Sequence, residues 1–331
     1  MLNHKAVTLD EVAIICPTKN QPQKILRLLE SLKSCGIKLT QIIIADGGNN
    51  LIPLIKKYEN FFSNLECVYC PSDGQVLQRN FAYGFLKNNI RLVIHLDDDI
   101  TLNRSSIKMM LKFWNRKENF VGKSLIGASF NIIDMAKQKD SFFRKLFFIG
   151  IKSQGKVNIA GYATPFCPAS QTQNVNWLLG GATAWSRDIL DNYQHPIDFK
   201  TRWAVCEDLM FSYPLSKTHK LAVVHDAIVY HNETYNDMSF KKNVFYGLSS
   251  ILMRHHFVCL NKDLSLMAFA WMSIGILGGN LMRGFLGSSR CLGLFTGGTW
   301  GLILILFGKI SGKNSKYLAR SLFCRLQKTS N

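Results

Sequence analysis

Three consecutive carboxylates, Asp97-Asp98-Asp99, end an apolar run that reads Arg-Leu-Val-Ile-His-Leu from residue 91. Adjacent carboxylates repel, and leaving such charges unpaired beside a buried strand is costly. A divalent cation relieves the repulsion, and hard oxygen ligands suit Mg²⁺ or Mn²⁺ held by a few carboxylates together with substrate phosphates. If the segment stays extended, Asp97 and Asp99 point to one side and Asp98 to the other. The competing reading is a solvated acidic turn or helix cap, since Thr101 and Asn103 follow.

A second acidic pair, Glu207-Asp208, stands where a helix is expected to begin. Free N–H groups and the helix dipole favour carboxylates there for purely structural reasons. The functional reading is a general base that takes a proton from an acceptor hydroxyl. One of the pair would face a pocket and the other brace it; Asp208 is the favoured base. Gly180-Gly181, ahead of another helical start at Arg187, would let a backbone approach a ligand closely or simply make a tight turn.

The elements that must position these groups are legible in the first hundred residues. Val12–Cys16, Gln41–Ala45, Glu66–Tyr69 and Arg91–Leu96 are short β-rich runs. Between and after them, Ile25/Leu28/Leu29/Leu32, Leu51/Leu54/Ile55/Tyr58 and Ile107/Met110/Leu111/Trp114 repeat at helical spacing. Pro22 opens the first helix and Gly36 closes it. Such alternation predicts an α/β fold with a mostly parallel sheet flanked by helices, and ligands bind at the carboxyl ends of its strands. No glycine precedes Gly36, so the first strand–helix turn cannot carry a dinucleotide fingerprint. Gly122-Lys123-Ser124 resembles the end of a phosphate-binding loop, but Lys117 occupies the place of its first glycine. The lone Cys67-x-x-Cys70 lacks the second pair that a zinc site needs.

Composition sets the surroundings. The chain has 331 residues, 40 Lys+Arg against 22 Asp+Glu and a formal charge of +18. That length and 47% hydrophobic content exclude a disordered chain, and the charge calls for an anionic partner. Nine scattered cysteines suit a reducing compartment, and the short apolar run Val12–Cys16 is no secretory signal. After Asp263 no acidic residue occurs. Two uncharged runs, Leu264 to Met282 and Cys291 to Gly308, would span about 28 and 27 Å as helices, close to a bilayer core. A helical hairpin, or a re-entrant or interfacial pair, is expected there, with basic residues from Lys309 to Lys328 on the cytoplasmic side. Between Met135 and Lys156, phenylalanines interleave with Lys and Arg; this suits a membrane interface, or a basic loop with core phenylalanines. The expected division is a catalytic domain over 1–250 and a membrane-associated helical region with a basic tail over 251–331.

Taken in order, these segments resemble glycosyltransferase family 2, inverting enzymes with the nucleotide-sugar-binding GT-A fold. The resemblance runs over roughly residues 11–250. It rests on Cys16-Pro17-Thr18-Lys19-Asn20, Ile44-Ala45-Asp46-Gly47-Gly48, Gly74-Gln75 with Arg79-Asn80, Asp97–Asp99, Gly180-Gly181, Glu207-Asp208 and Val229-Tyr230-His231. The resemblance implies that Pro17, Thr18 and Asn20 line the nucleotide pocket and that Asp46 bonds the base, uracil being favoured. Arg79 would support the nucleotide or diphosphate side, and Asp98 would sit near the ribose. Asp99, with Asp97, would hold Mn²⁺ or Mg²⁺, and His231 would approach the metal unless it is structural. Gly180 and Gly181 would shape the floor beside donor sugar and acceptor, and Asp208, braced by Glu207, would act as base.

The implied activity is metal-dependent transfer of a sugar from a nucleotide donor to a hydroxyl of a lipid-linked or membrane-proximal glycan, at the cytoplasmic face. The alternative acceptor is a polyprenyl phosphate. A membrane scaffold and a nucleic-acid-binding protein are the remaining classes, and no nucleic-acid recognition motif is present. Two segments depart from the family pattern. Asp46-Gly47-Gly48-Asn49 replaces a serine-bearing loop, and Met253-Arg254-His255-His256 stands where polymerising members carry Gln-x-x-Arg-Trp. One sugar per encounter is therefore expected.

Overall fold

Val12, Ile14, Ile43, Ile44 and Ile94 are completely buried, so the first apolar runs of the sequence form the middle of a sheet covered on both faces. Each such side chain contributes roughly 1.5–3 kcal/mol by leaving water. The computed structural model describes residues 6–307, apart from 49–50, 59, 72–73, 137, 139, 152, 196–204 and 233–237. It comprises two compact units. The first is Met1–Lys137, Phe166–Ile197 and Phe211–Glu233; the second is Gln138–Pro165, Asp198–Met210 and Thr234–Asn331.

The first unit holds nine strands among the described residues: β1 (Val12–Thr18), β2 (Gln41–Asp46), β3 (Leu65–Tyr69), β4 (Leu92–Leu96), β5 (Ile100–Leu102), β6 (Leu125–Ile132), β7 (Gln173–Val175), β8 (Ala182–Ser186) and β9 (Lys220–His231). They form one sheet in the order β3-β2-β1-β4-β8-β6-β9-β5, with β7 also paired to β9. The pairs among β3, β2, β1 and β4 are parallel. Beyond β4 the sheet is mixed: β4–β8, β6–β8, β5–β9 and β7–β9 are antiparallel, and β6–β9 is parallel. The mostly parallel expectation therefore holds for the first half only. Its basis, regular strand–helix alternation, stops after residue 114.

Helix α1 (Pro22–Ser34) starts at a proline, buries Ile25, Leu28, Leu29 and Leu32, and ends before Gly36 at φ +59°. The short α2 (Ile52–Ile55) continues as a 3₁₀ turn, Lys56–Tyr58. Helix α3 (Gln75–Tyr83) follows Gly74 at φ +117° and buries two polar side chains, Gln78 and Arg79, with Val76, Ala82 and Tyr83. Helix α4 (Ser106–Trp114) closes the first alternation.

In the second unit, α5 (Phe142–Leu146) is short and has no buried residue, with Phe142 82% exposed. The interleaved phenylalanines of this stretch thus stand outside the core at α5. After α6 (Arg187–Asn192) of the first unit comes α7 (Glu207–Ser216), which begins in the second unit and ends in the first. Helices α8 (Phe240–Leu260), α9 (Leu266–Phe285) and α10 (Ser289–Leu306) then complete the second unit, and α8 runs through residue 250 without a break. The last two are long and apolar enough to cross a membrane. On α10, Gly293, Gly297 and Gly301 face α8 so closely that a Cβ at Gly297 would overlap the Val244 carbonyl. Trp271 of α9 donates its indole N–H to the Leu146 carbonyl at 2.8 Å and stacks on Phe147.

Candidate active site

β1, β2 and β4 end side by side, and their carboxyl ends bring Thr18, Asp46 and the Asp97–Asp99 segment to one edge of the sheet. The chain leaves β4 at Leu96 and turns at Asp98-Asp99 before β5. This turn overrides the alternation expected of an extended segment. Asp98 and Asp99 share one partner, Lys24, at 3.7 and 3.1 Å, while Asp97 is held elsewhere.

Each carboxylate has its own arrangement. Asp97 accepts a 2.6 Å bond from the Arg79 guanidinium, whose side chain is 1% exposed. Arg79 is thus turned into the protein toward Asp97, behind the edge of the site. Asp98 accepts a 2.6 Å hydrogen bond from the Thr18 hydroxyl. Burial nevertheless pushes its carboxyl up to about 6, against the lowering effect of Thr18 and Lys24. Asp99 gives Oδ2 to Lys24, but its Oδ1 is buried without a hydrogen-bond partner. His231 Nε2 stands 3.5 Å from that oxygen. The histidine is fixed from behind, because its backbone N–H donates to Asp134 and its neighbour Asn232 N–H donates to the Asp99 carbonyl at 2.9 Å.

Gly180 and Gly181 form the turn into β8. The Asp97 N–H donates to the Gly181 carbonyl at 2.8 Å, and a Cβ on Gly181 would overlap the Asp97 carboxylate. The glycine therefore makes room for a carboxylate of the protein itself. Pro17 is buried within β1, opposite Ala45, and Asn20 follows at φ +55°, a conformation asparagine tolerates better than most residues. The Asn20 side chain reaches the Gly48 backbone, where no Cβ would fit.

Asp46 is buried, and its Oδ1 accepts from the Gly48 N–H at 2.8 Å. It borders a cavity of about 290 Å³ lined by Gly48, Leu51, Ile52, Pro53, Cys67 and Tyr69. Gln78 joins this region to β1: its amide donates to the Thr18 carbonyl at 2.6 Å and to the Ala45 carbonyl at 3.1 Å. Glu207 and Asp208 open α7 in the second unit. Glu207 is 5% exposed, whereas Asp208 is only half-buried and accepts from the Leu209 N–H at 2.8 Å.

Lys24 and Gln78 escape the sequence reading. A lysine in the first turn of a helix meets the positive end of the dipole, which is the signal that an anion must lie nearby. Gln78 shares the buried face of α3 with Arg79, and a polar residue there needs a partner.

Residues 13–172 match the sequence model of Glycosyl transferase family 2. The chain carries a family 2 glycosyltransferase domain. The matched span contains β1 from its second residue, β2 to β6 and the three carboxylates, and it ends before Gly180, Glu207 and His231. The glycosyltransferase also resembles solved structures in fold. S. aureus TarS 1-349 aligns with a TM-score of 0.52 and 16% identity, over 83% of this chain and 74% of that one. GalNAc-T7 with UDP, GalNAc and Mn²⁺ aligns with a TM-score of 0.52 and 12% identity, over 81% and 54%. These likenesses establish the GT-A fold. No curated protein sequence matches the chain significantly.

Proposed function

We propose that this glycosyltransferase moves a sugar, with inversion, from a nucleoside diphosphate donor to a hydroxyl of a lipid-linked or membrane-proximal glycan at the cytoplasmic face. The observation that carries the reading is the pairing, on one sheet edge, of the Asp46 cavity with the carboxylate cluster. The cavity is largely apolar and has room for a base, and Asp46 Oδ2 would accept the single N–H of uracil. The fold is shared with GalNAc-T7, whose structure contains UDP and Mn²⁺.

The cluster fits a divalent cation. Asp99 Oδ1 is a buried carboxylate oxygen without a hydrogen bond, and His231 Nε2 faces it. Among the described residues no three His, Cys, Asp or Glu side chains form a complete metal cage. That suits Mg²⁺ or Mn²⁺, which take one or two protein carboxylates and complete their shell with phosphate and water. When bound, the cation would neutralise charge on the departing diphosphate. Asp99 and His231 would hold it. Asp97, committed to Arg79, would anchor the turn, and Asp98 with Thr18 would receive the ribose.

Asp208 would remove the proton from the acceptor hydroxyl as the acceptor oxygen attacks the anomeric carbon and the nucleoside diphosphate departs from the opposite face. Its partial exposure suits a proton acceptor, and the burial of Glu207 suits a brace. General-base removal lowers rates by about 10²- to 10⁴-fold. Asp208→Asn is therefore expected to bind donor normally and to lose turnover by that amount, measured by nucleoside diphosphate release with glycan acceptor. Unchanged turnover would contradict the assignment and favour a phosphate acceptor, which needs no base.

A further inference from the structure

α10 lies against α8 along nearly its whole length, and this contact determines how the C-terminal helices can meet a membrane. Gly293 faces Phe240 and Asn243, Gly297 faces Val244 and Leu248, and Gly301 faces Ile251. Leu304 and Ile305 continue onto Leu248 and Leu252. The two helices therefore run in the same direction at backbone contact, and any depth that α10 reaches is shared by α8.

α8 is less suited to a membrane core. It is not among the described helices long and apolar enough to cross, and it carries Lys241 and Lys242 at its start and Arg254, His255 and His256 near its end. Arg254 is tied to the Gly161 carbonyl at 3.1 Å. Twelve residues separate Lys242 from Arg254, about 18 Å of helix, against a hydrocarbon core of about 30 Å. α9 is fixed at its start as well, where the Ser265 N–H donates to the Ile159 carbonyl at 2.8 Å.

The outer surface is nonetheless built for lipid. Met267, Phe285, Leu286 and Leu306 are 80–86% exposed, and Phe142 of α5 is 82% exposed. Arg283 and Arg290 flank the tip between α9 and α10, and no acidic residue follows Asp263. Basic groups at both ends of the bundle match an anionic surface met from a single side.

We propose that α9 and α10 do not cross the bilayer but lie with α8 and α5 in one leaflet of an anionic membrane, with the tip at residues 286–288 returning to the same interface. This inference rests on the membrane attachment in the proposed function and selects the interfacial arrangement among those the sequence leaves open. Full-length protein carrying a nitroxide at Ser288→Cys would be added to preformed phosphatidylcholine vesicles with and without phosphatidylglycerol, and the signal of equally treated parent protein subtracted. Binding should require phosphatidylglycerol. A membrane-impermeant paramagnetic agent should relax the nitroxide from outside the vesicles and have no effect when trapped inside. Relaxation from inside, or from neither side, would overturn the proposal. Leu286→Asp, at an exposed position, should lose vesicle binding and keep donor binding; retained vesicle binding would also count against it. Donor binding is measured on the same samples, so its loss with vesicle binding intact would strike the catalytic reading alone.

Discussion

Lys24 places an ammonium group where the site calls for a cation, 3.1 Å from Asp99 and 3.7 Å from Asp98. It stands in the first turn of α1, against the helix dipole, so the carboxylates must more than compensate. The ion pair competes with any metal for Asp99. Lys24→Met should therefore tighten Mn²⁺ binding to the donor-free protein roughly fivefold, the equivalent of about 1 kcal/mol for a partly exposed pair. Titration calorimetry would check this, and weaker binding would contradict it. Cys67 offers a second probe, because it lines the Asp46 cavity. Burial, assisted by the Asp46 charge, pushes its thiol up to about 11. A raised thiol pKa leaves the unreactive protonated form dominant until the pH approaches that value. Alkylation of Cys67 should keep rising about tenfold per pH unit from 8 to 10 instead of levelling near 9, and UDP should slow it; peptide mass spectrometry would follow both. The residue types of this site are legible in the sequence, since Asp46, Thr18 and the three carboxylates stand at strand ends. The division of labour among the carboxylates is not. It depends on Arg79 and Lys24, which arrive from two helices remote in sequence, and on a turn that breaks the strand at Asp98.

At the scale of elements, the early strands and helices are readable because each buries a continuous or regularly spaced apolar set. Ile25, Leu28, Leu29 and Leu32 predict α1, and all four are buried. Strand direction beyond β4 is not readable. β6 and β8 are buried on both faces, so they lack the one-sided alternation that marks an antiparallel strand. The glycines of α10 carry information of a different kind. Gly297 is required by the approach of α8, while Gly278 of α9 has open space where a Cβ would stand. Gly297→Leu should push α8 and α10 apart and destabilise the protein by about 1–3 kcal/mol or more. Gly278→Ala should be neutral or stabilise by up to about 1 kcal/mol. Denaturation in detergent would compare them, and equal effects would contradict the packing described.

For the whole molecule, one unit carries the sheet edge with the cavity and the carboxylates. The other carries the start of α7 and the apolar bundle. The family match covers residues 13–172 and thus Thr18, Asp46, Arg79 and the three carboxylates, whereas the assignments to Gly180, Gly181, His231, Glu207 and Asp208 rest on their order in the chain and on local geometry. Membrane attachment joins the two halves of the proposal, since a lipid-linked acceptor has to be met at a surface. The central claim is that Asp99 and the Asp46 cavity together bind a nucleoside diphosphate through a divalent cation. Thermal stability of the purified protein, measured with UDP, GDP and other nucleoside diphosphates in the presence and absence of Mn²⁺, tests it most directly. At 100 times its dissociation constant a ligand stabilises by about 2.7 kcal/mol. The account predicts such a stabilisation with UDP only when Mn²⁺ is present, and its loss in Asp99→Asn. A shift that is independent of Mn²⁺, or one that survives in Asp99→Asn, would contradict it.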